Sequence, residues 1–342
     1  MPERDHEIID FLDANGWQQA SRTPLADDAS ARRYQRLVHG DRRAILMDAP
    51  PDQMSIVPFL NIARHLTGLG FSAPEIYAED EAHGLMLLED FGDDTYNRLL
   101  SSDPKCEMEL YSLAVDVLSS LHRRPEKDTV LAGTQTHSEA VLLEGIAQFV
   151  LHYIPQAMGQ PLSSALSEQF RALWVAALKP VFDQPKALVL RDFHVDNLIR
   201  LKGRDGIRRC GLLDFQDASI GAGAYDLVSL LEDARRDIST DIVDGMRRRY
   251  ARAMNMTVPE QHSFDMAYAV LGAQRHTRVI GIFTRLCVRD VKPGYLVHIP
   301  RVWRLLERSL CHPALTELKA WFDINIPEEN RGFPPELAEH MT

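Results

Sequence analysis

Asp192-Phe193-His194-Val195-Asp196-Asn197, with Asp214 after the next apolar run, concentrates the groups of this chain best suited to chemistry. A carboxylate such as that of Asp192 can take a proton from a hydroxyl, while an asparagine amide and a second carboxylate are hard oxygen ligands for a divalent cation. Between the two clusters, Leu198-Ile199-Arg200-Leu201 and Ile207 to Leu213 read as short strands around the turn Lys202-Gly203-Arg204-Asp205-Gly206. A hairpin there returns the chain to its start and sets Asp214 beside Asn197. The competing reading, that Asp192, Asp196 and Asn197 only cap a turn, leaves the hairpin and its terminal aspartate unexplained.

This spacing resembles that of protein-kinase-like enzymes. The resemblance implies that Asp192 accepts the proton of the acceptor hydroxyl, and that Asn197 and Asp214 hold Mg2+ on ATP. Leu190 stands where protein kinases have a histidine, with Arg191 before the aspartate. Asp214-Phe215-Gln216-Asp217-Ala218, Gly221, Tyr225-Asp226-Leu227 and, upstream, Ile45-Leu46-Met47-Asp48-Ala49-Pro50-Pro51 complete a likeness to the aminoglycoside phosphotransferase family. The match is closest to its bacterial sugar kinases, which act on the anomeric hydroxyl of N-acetylmuramate and N-acetylglucosamine. The likeness implies an α+β, protein-kinase-like two-lobe fold. Residues 1–89 would be the antiparallel-sheet N-lobe with a leading helix, and 90–342 the helical C-lobe with the catalytic loop and acceptor site.

The periodicity is consistent with that plan. Ile8, Ile9, Phe11 and Leu12 predict a helix over 5–15, and 18–25, 34–38 and 43–47 predict three strands. The connector 26–33 falls where a kinase's nucleotide-covering loop lies, yet contains no glycine. Ala29, Ser30 and Ala31 would still allow close backbone approach, with Ser30 as a donor and Arg32 or Arg33 supplying charge; an exposed polar loop is the alternative. The usual third-strand lysine is replaced by Met47, and the helix predicted over 55–69 has no glutamate to pair with one. Both members of that ion pair are missing together, which avoids a lone buried charge. Arg33 is the expected substitute.

Leu85-Met86-Leu87-Leu88 empties into Glu89-Asp90-Phe91-Gly92, which resembles a hinge meeting adenine through main-chain groups of 89–91. Helices are predicted at 107–122, 138–153, 164–178, 225–234, 240–254, 263–286, 295–310 and 313–323, punctuated by Pro180, Pro185, Pro259, Pro293 and Pro313. Asp226 is expected to cap its helix and to brace the catalytic loop with Arg191. Gly221-Ala222-Gly223 reads as a flexible turn. In Gln274-Arg275-His276-Thr277-Arg278, cations interrupt an apolar helix. Arg275 would then meet Asp217, a carboxylate substrate or another acidic residue, and Asp217, Arg275 and His276 are candidate acceptor-site residues. Trp303 and Trp321 read as core.

With 342 residues, 45% hydrophobic and 25% charged, the chain can bury a large core. Its net charge of -11, from 38 basic and 49 acidic residues, argues against nucleic acid as a partner. No apolar run suits a membrane span, and the acidic start is unlike a signal peptide, so a cytoplasmic enzyme with a small-molecule hydroxyl substrate is expected. Cys106, Cys210, Cys287 and Cys311 are scattered and predict reduced thiols. Three functions stay open: an anomeric kinase of N-acetyl amino sugars, a kinase of aminoglycosides or other cationic alcohols, and an ATP-binding pseudokinase suggested by Met47 and the glycine-free loop.

Overall fold

A computed structural model describes residues 2–25, 32–334 and 336–337. In chain order the elements are α1 (Pro2–Ala14), β1 (Ser21–Pro24), β2 (Arg33–His39), β3 (Arg42–Asp48), α2 (Val57–Gly68), β4 (Ile76–Asp80), β5 (Leu85–Leu88), α3 (Tyr96–Ser102), α4 (Glu107–His122), α5 (Glu126–Thr129), α6 (Glu139–Gln148), α7 (Ile154–Met158) and α8 (Ser164–Leu178). There follow β6 (Lys186–Val189), β7 (Leu198–Arg200), β8 (Cys210–Leu212), β9 (Ser219–Ala222), α9 (Ala224–Leu231), α10 (Thr240–Ala253), α11 (Val258–Val288), α12 (Ile299–Leu310) and α13 (Thr316–Asn325). They form two compact units, residues 1–117 with 195–218, and residues 118–194 with 219–342.

The first unit is built on an antiparallel sheet of order β1-β2-β3-β5-β4. Period-2 alternation decides what each face meets. Leu37, Ala44, Leu46, Leu85 and Leu87 face α1, whose Ile8, Phe11 and Leu12 bury against them with Trp17. Met47 therefore lies on the other face, fully buried. Asp48, at the end of β3, is buried and bonded by Arg4 of α1 at 2.5 and 3.1 Å. The predicted hairpin is present as β7 and β8, shorter than its apolar runs because Gly206–Arg209 closes as a 3-10 turn. The hairpin is stitched to its own unit through Leu212 N–H to Ser72 O at 2.8 Å and Arg200 N–H to Asp94 O at 2.9 Å.

In the second unit β6 and β9 pair antiparallel, Val189 opposite Ser219, and lead into the loop that carries Asp192 and into α9 respectively. The helix α11 runs from Val258, five residues before the expected Ser263. Pro259 starts it instead of interrupting it, because a first-turn proline lacks only an N–H that would have had no helical partner. Thr257 and Glu260 close a capping box there, with Thr257 N–H to the Glu260 carboxylate at 2.7 Å. The helix expected over 138–153 leaves α geometry at Phe149, where Phe149–Tyr153 forms a π-turn. Trp303 and Trp321 are core residues, Trp303 donating to the Tyr153 hydroxyl at 2.9 Å. The four cysteines are free thiols, and no described helix is long and apolar enough to cross a membrane.

At the π-turn α11 comes backbone to backbone with its neighbour. A Cβ on Gly281 would sit 2.3 Å from both Gln148 C and Phe149 N. Rigid main chain cannot yield as a side chain does. Gly281→Ala is expected to cost about 1–3 kcal/mol by overpacking, read as a lower urea midpoint at unchanged slope. An unaltered midpoint would show that this crossing is not tight.

Candidate active site

The candidate catalytic loop begins with a strained turn. Asp192 N–H bonds back to Leu190 O at 2.9 Å, and Arg191 between them has φ +70°, a left-handed value uncommon for a side chain of this size. Asp226 holds that geometry: its Oδ2 accepts Leu190 N–H and its Oδ1 accepts Arg191 N–H, each at 2.7 Å. The carboxylate is fully buried, and His122 Nε2 stands 3.4 Å from Oδ2. His122 is fixed in turn by Nδ1 against the Tyr250 hydroxyl at 2.8 Å. Asp226 is the third residue of α9 and braces the loop without serving as its N-cap, which is Gly223. Gly223 is no flexible turn: a Cβ there would lie 2.6 Å from His122 Nδ1 and 2.9 Å from Tyr250 Oη.

Arg275 answers the question of its acidic partner. Its Nη1 lies 3.4 Å from Asp192 Oδ1, 3.4 Å from Arg191 O and 3.5 Å from the Tyr225 hydroxyl, and its guanidinium carbon is 5.5 Å from the centre of the Tyr225 ring. The cation inside α11 is therefore paired with the candidate catalytic carboxylate. Burial opposes ionisation of Asp192, but Arg275, then Arg278, His194 and Arg191, outweigh it and hold the carboxyl down to about 2. A third of the Asp192 side chain remains accessible. Nearby His137 is pushed down to about 3, by burial first and then by Arg191, Arg278 and Arg275. Around Asp192 the field is thus positive.

His276 points elsewhere. It is sealed from solvent with Nε2 3.3 Å from Glu232, and burial, then Arg275 and Arg308, press it down to about 3.

In the first unit, Leu213 N–H bonds Asn197 O at 2.9 Å, and Asn197 Nδ2 reaches Asp214 Oδ2 at 3.4 Å. Gln216 Nε2 donates to the other oxygen of Asp214 at 2.7 Å, and Asp214 has φ +55°. Phe215 is buried against Phe59 of α2, ring centres 5.0 Å apart. The helix that lacks the usual glutamate thus anchors the Asp214 turn by an aromatic contact instead. The Gln216 amide, two residues beyond Asp214, thus supports the carboxylate, a role that the spacing of Asp192, Asn197 and Asp214 does not indicate. An amide oxygen and a carboxylate brought together fit a hard divalent cation such as Mg2+ by their chemistry.

The remaining candidates separate by register. Arg33 pairs with Asp48 and so lies on the face of α1, whereas Tyr34 pairs with Met47. Arg32, just ahead of β2, is half-buried, whereas Arg33 is exposed. Ser30 lies outside the described residues. At 89–91 the carboxylates are engaged by cations: Glu89 by Arg204 at 2.6 Å and Asp90 by Arg36 at 2.8 Å, while Arg204 sits 5.2 Å over the Phe91 ring. Asp217 is exposed.

The chain is similar to known proteins. The model of the phosphotransferase enzyme family matches residues 21–263, and the chain belongs to that family. It is 34% identical to an N-acetylmuramate/N-acetylglucosamine kinase of Caulobacter vibrioides over 96% of this chain and 98% of the relative. It is 35% identical to a protein of that same name from Pseudomonas aeruginosa, over 92% of each. Among solved structures, a choline/ethanolamine kinase family protein of Mesorhizobium loti superposes with TM-score 0.62 over 94% of this chain and 99% of its own, at 14% identity. The fold is α+β and protein-kinase-like, and the protein is an enzyme that transfers a phosphoryl group from ATP to an alcohol.

The pairing of Asp192 with Arg275 fixes a sign for pH dependence. With Arg275→Met the burial term remains and the largest opposing charge is gone, so the carboxyl rises from about 2. The variant is expected to gain an acid limb in kcat/KM above about pH 4 that the wild type lacks. Identical acid limbs in both proteins would contradict the assignment.

Proposed function

We propose that the protein phosphorylates the anomeric hydroxyl of N-acetylmuramate and N-acetylglucosamine, using ATP and Mg2+ in the cytoplasm. The observation that carries this reading is the match, end to end at 34%, to a kinase named for those two sugars. A second support is electrostatic. A cationic alcohol brought to Asp192 would meet Arg191, Arg275 and Arg278, whose charge is only partly offset by Asp192 itself and by buried Asp233, and this disfavours aminoglycosides and choline.

In this reading Asp192 orients the sugar hydroxyl for in-line attack and takes its proton late. A carboxyl held down to about 2 is a weak base, so its contribution is mostly alignment until the oxygen has begun to bond to phosphorus. Asn197 and Asp214 would hold Mg2+, which when bound supplies charge against the ATP phosphates. Arg32, with Arg33 and Ser30 as the alternatives in the same connector, would lie over the phosphates. Glu89, Asp90 and Phe91 would meet adenine through the main chain, because the carboxylates of Glu89 and Asp90 are committed to Arg204 and Arg36 and the Phe91 ring lies under Arg204. Arg191 and Asp226 position the loop. Functionally, residues 1–89 would cover the nucleotide, and 90–342 would carry the loop and the acceptor site. Within that site Arg275 acts by holding Asp192, whereas exposed Asp217 and sealed His276 would contribute less.

The test is transfer of label from γ-labelled ATP, with magnesium, to N-acetylmuramate, N-acetylglucosamine, choline, homoserine and an aminoglycoside. Label is expected on the two N-acetyl sugars and should be released by alkaline phosphatase. Asp192→Asn should lower turnover by about 10²–10⁴ while ATP binding survives. Label confined to the cationic acceptors would overturn the proposal.

A further inference from the structure

The two sugars differ in one charged group: N-acetylmuramate carries a lactyl ether ending in a carboxylate, and N-acetylglucosamine does not. A single enzyme for both needs a cation that can engage this carboxylate and is dispensable without it. Arg278 has that character. It lies three residues beyond Arg275 on α11, so the two emerge from the same face one helical turn apart. Arg275 is committed to Asp192, Arg191 O and Tyr225. Arg278, by contrast, has no hydrogen-bond or ion-pair partner among the described residues, although it is half-buried on α11. A guanidinium withdrawn from water in this way is costly unless something joins it.

The neighbouring helix makes room for it. A Cβ on Gly145 of α6 would lie 2.9 Å from Arg278 Cδ, 3.1 Å from Gln274 Nε2 and 3.4 Å from Arg278 Cγ, so its closest contact is the Arg278 stem. Glycine in a helix interior is unfavourable relative to alanine, and here its missing methyl is the space through which the Arg278 stem passes. The side chain is therefore threaded past α6 with its head within electrostatic reach of Asp192. Planar guanidinium and carboxylate can join by two parallel hydrogen bonds.

From this arrangement we infer that Arg278 is the specificity-determining residue that binds the carboxylate of an anionic sugar acceptor. The inference rests on the proposed function and deepens it: Arg278 would set the preference for N-acetylmuramate over N-acetylglucosamine without taking part in transfer itself. Discrimination then comes from one charge-assisted contact that only one of the substrates can make.

The experiment compares steady-state constants for both sugars, at saturating ATP and magnesium, in wild type, Arg278→Gln and Gly145→Ala. The expected result for Arg278→Gln, measured at pH 8 where Arg275 still keeps Asp192 ionised, is a KM for N-acetylmuramate raised about tenfold or more, with constants for N-acetylglucosamine within about twofold of wild type. The second sugar thus reports whether the variant is folded and active. Gly145→Ala, whose methyl collides with the Arg278 stem, should show the same selective loss. The methyl ester of N-acetylmuramate should bind wild type and Arg278→Gln alike. Equal losses on both sugars would assign Arg278 to the phosphoryl group or the fold and overturn the inference alone, as would no loss on either. A wild type that transfers to neither sugar would overturn the proposed function as well.

Discussion

The arrangement of this enzyme depends on one buried carboxylate. Asp226 accepts two main-chain N–H groups, from Leu190 and Arg191, at 2.7 Å each. Hydrogen bonds to a charged acceptor contribute about 1.5–3 kcal/mol apiece, enough to offset the roughly 1–3 kcal/mol of a left-handed arginine. Without them the chain at Arg191 would relax and Asp192 would point elsewhere. His122, through Tyr250, keeps the Asp226 carboxylate oriented, and the register of β6 with β9 delivers Asp226 to its place. Loop, helix and strand pair are thus a single device for presenting one side chain.

Charge is distributed with the same economy. The protein is acidic overall, yet Asp192 is surrounded by Arg191, Arg275 and Arg278. Arg275 keeps the carboxylate ionised in spite of burial, and its own charge, opposed by burial, is sustained by Tyr225 and Asp192. In the other unit Met47 is fully buried in β3, and α2 reaches the Asp214 turn through Phe59. An ion pair has been exchanged for aromatic packing, which needs no counter-charge.

Much of this was legible in the sequence because it is local. The spacing of Asp192, Asn197 and Asp214, the hairpin between them, and the stripes of the long helices each depend on residues close in the chain. Contacts distant in sequence were not legible. Arg275 meets Asp192 across 83 positions, and no pattern along the chain specifies that partner over Asp217. The face on which Arg33 lies was hidden too, since a shift of one residue in the β2–β3 register reverses it. Gly223 read as a flexible turn because nothing in its neighbours announces His122 and Tyr250 from remote helices. Pro259 looked like a break when it was a start, a distinction set by the capping box just ahead of it.

The most direct test of the account is the rate of a single turnover in Asp226→Asn. That change keeps the shape of the side chain but turns an NH2 toward one of the two loop N–H groups, replacing an acceptor with a donor. The phosphoryl-transfer step is expected to slow by about 10² or more, because about 3 kcal/mol of orientation is lost, with an unchanged dissociation constant for ATP. An Asp226→Asn enzyme that transfers phosphate at the wild-type rate would contradict it.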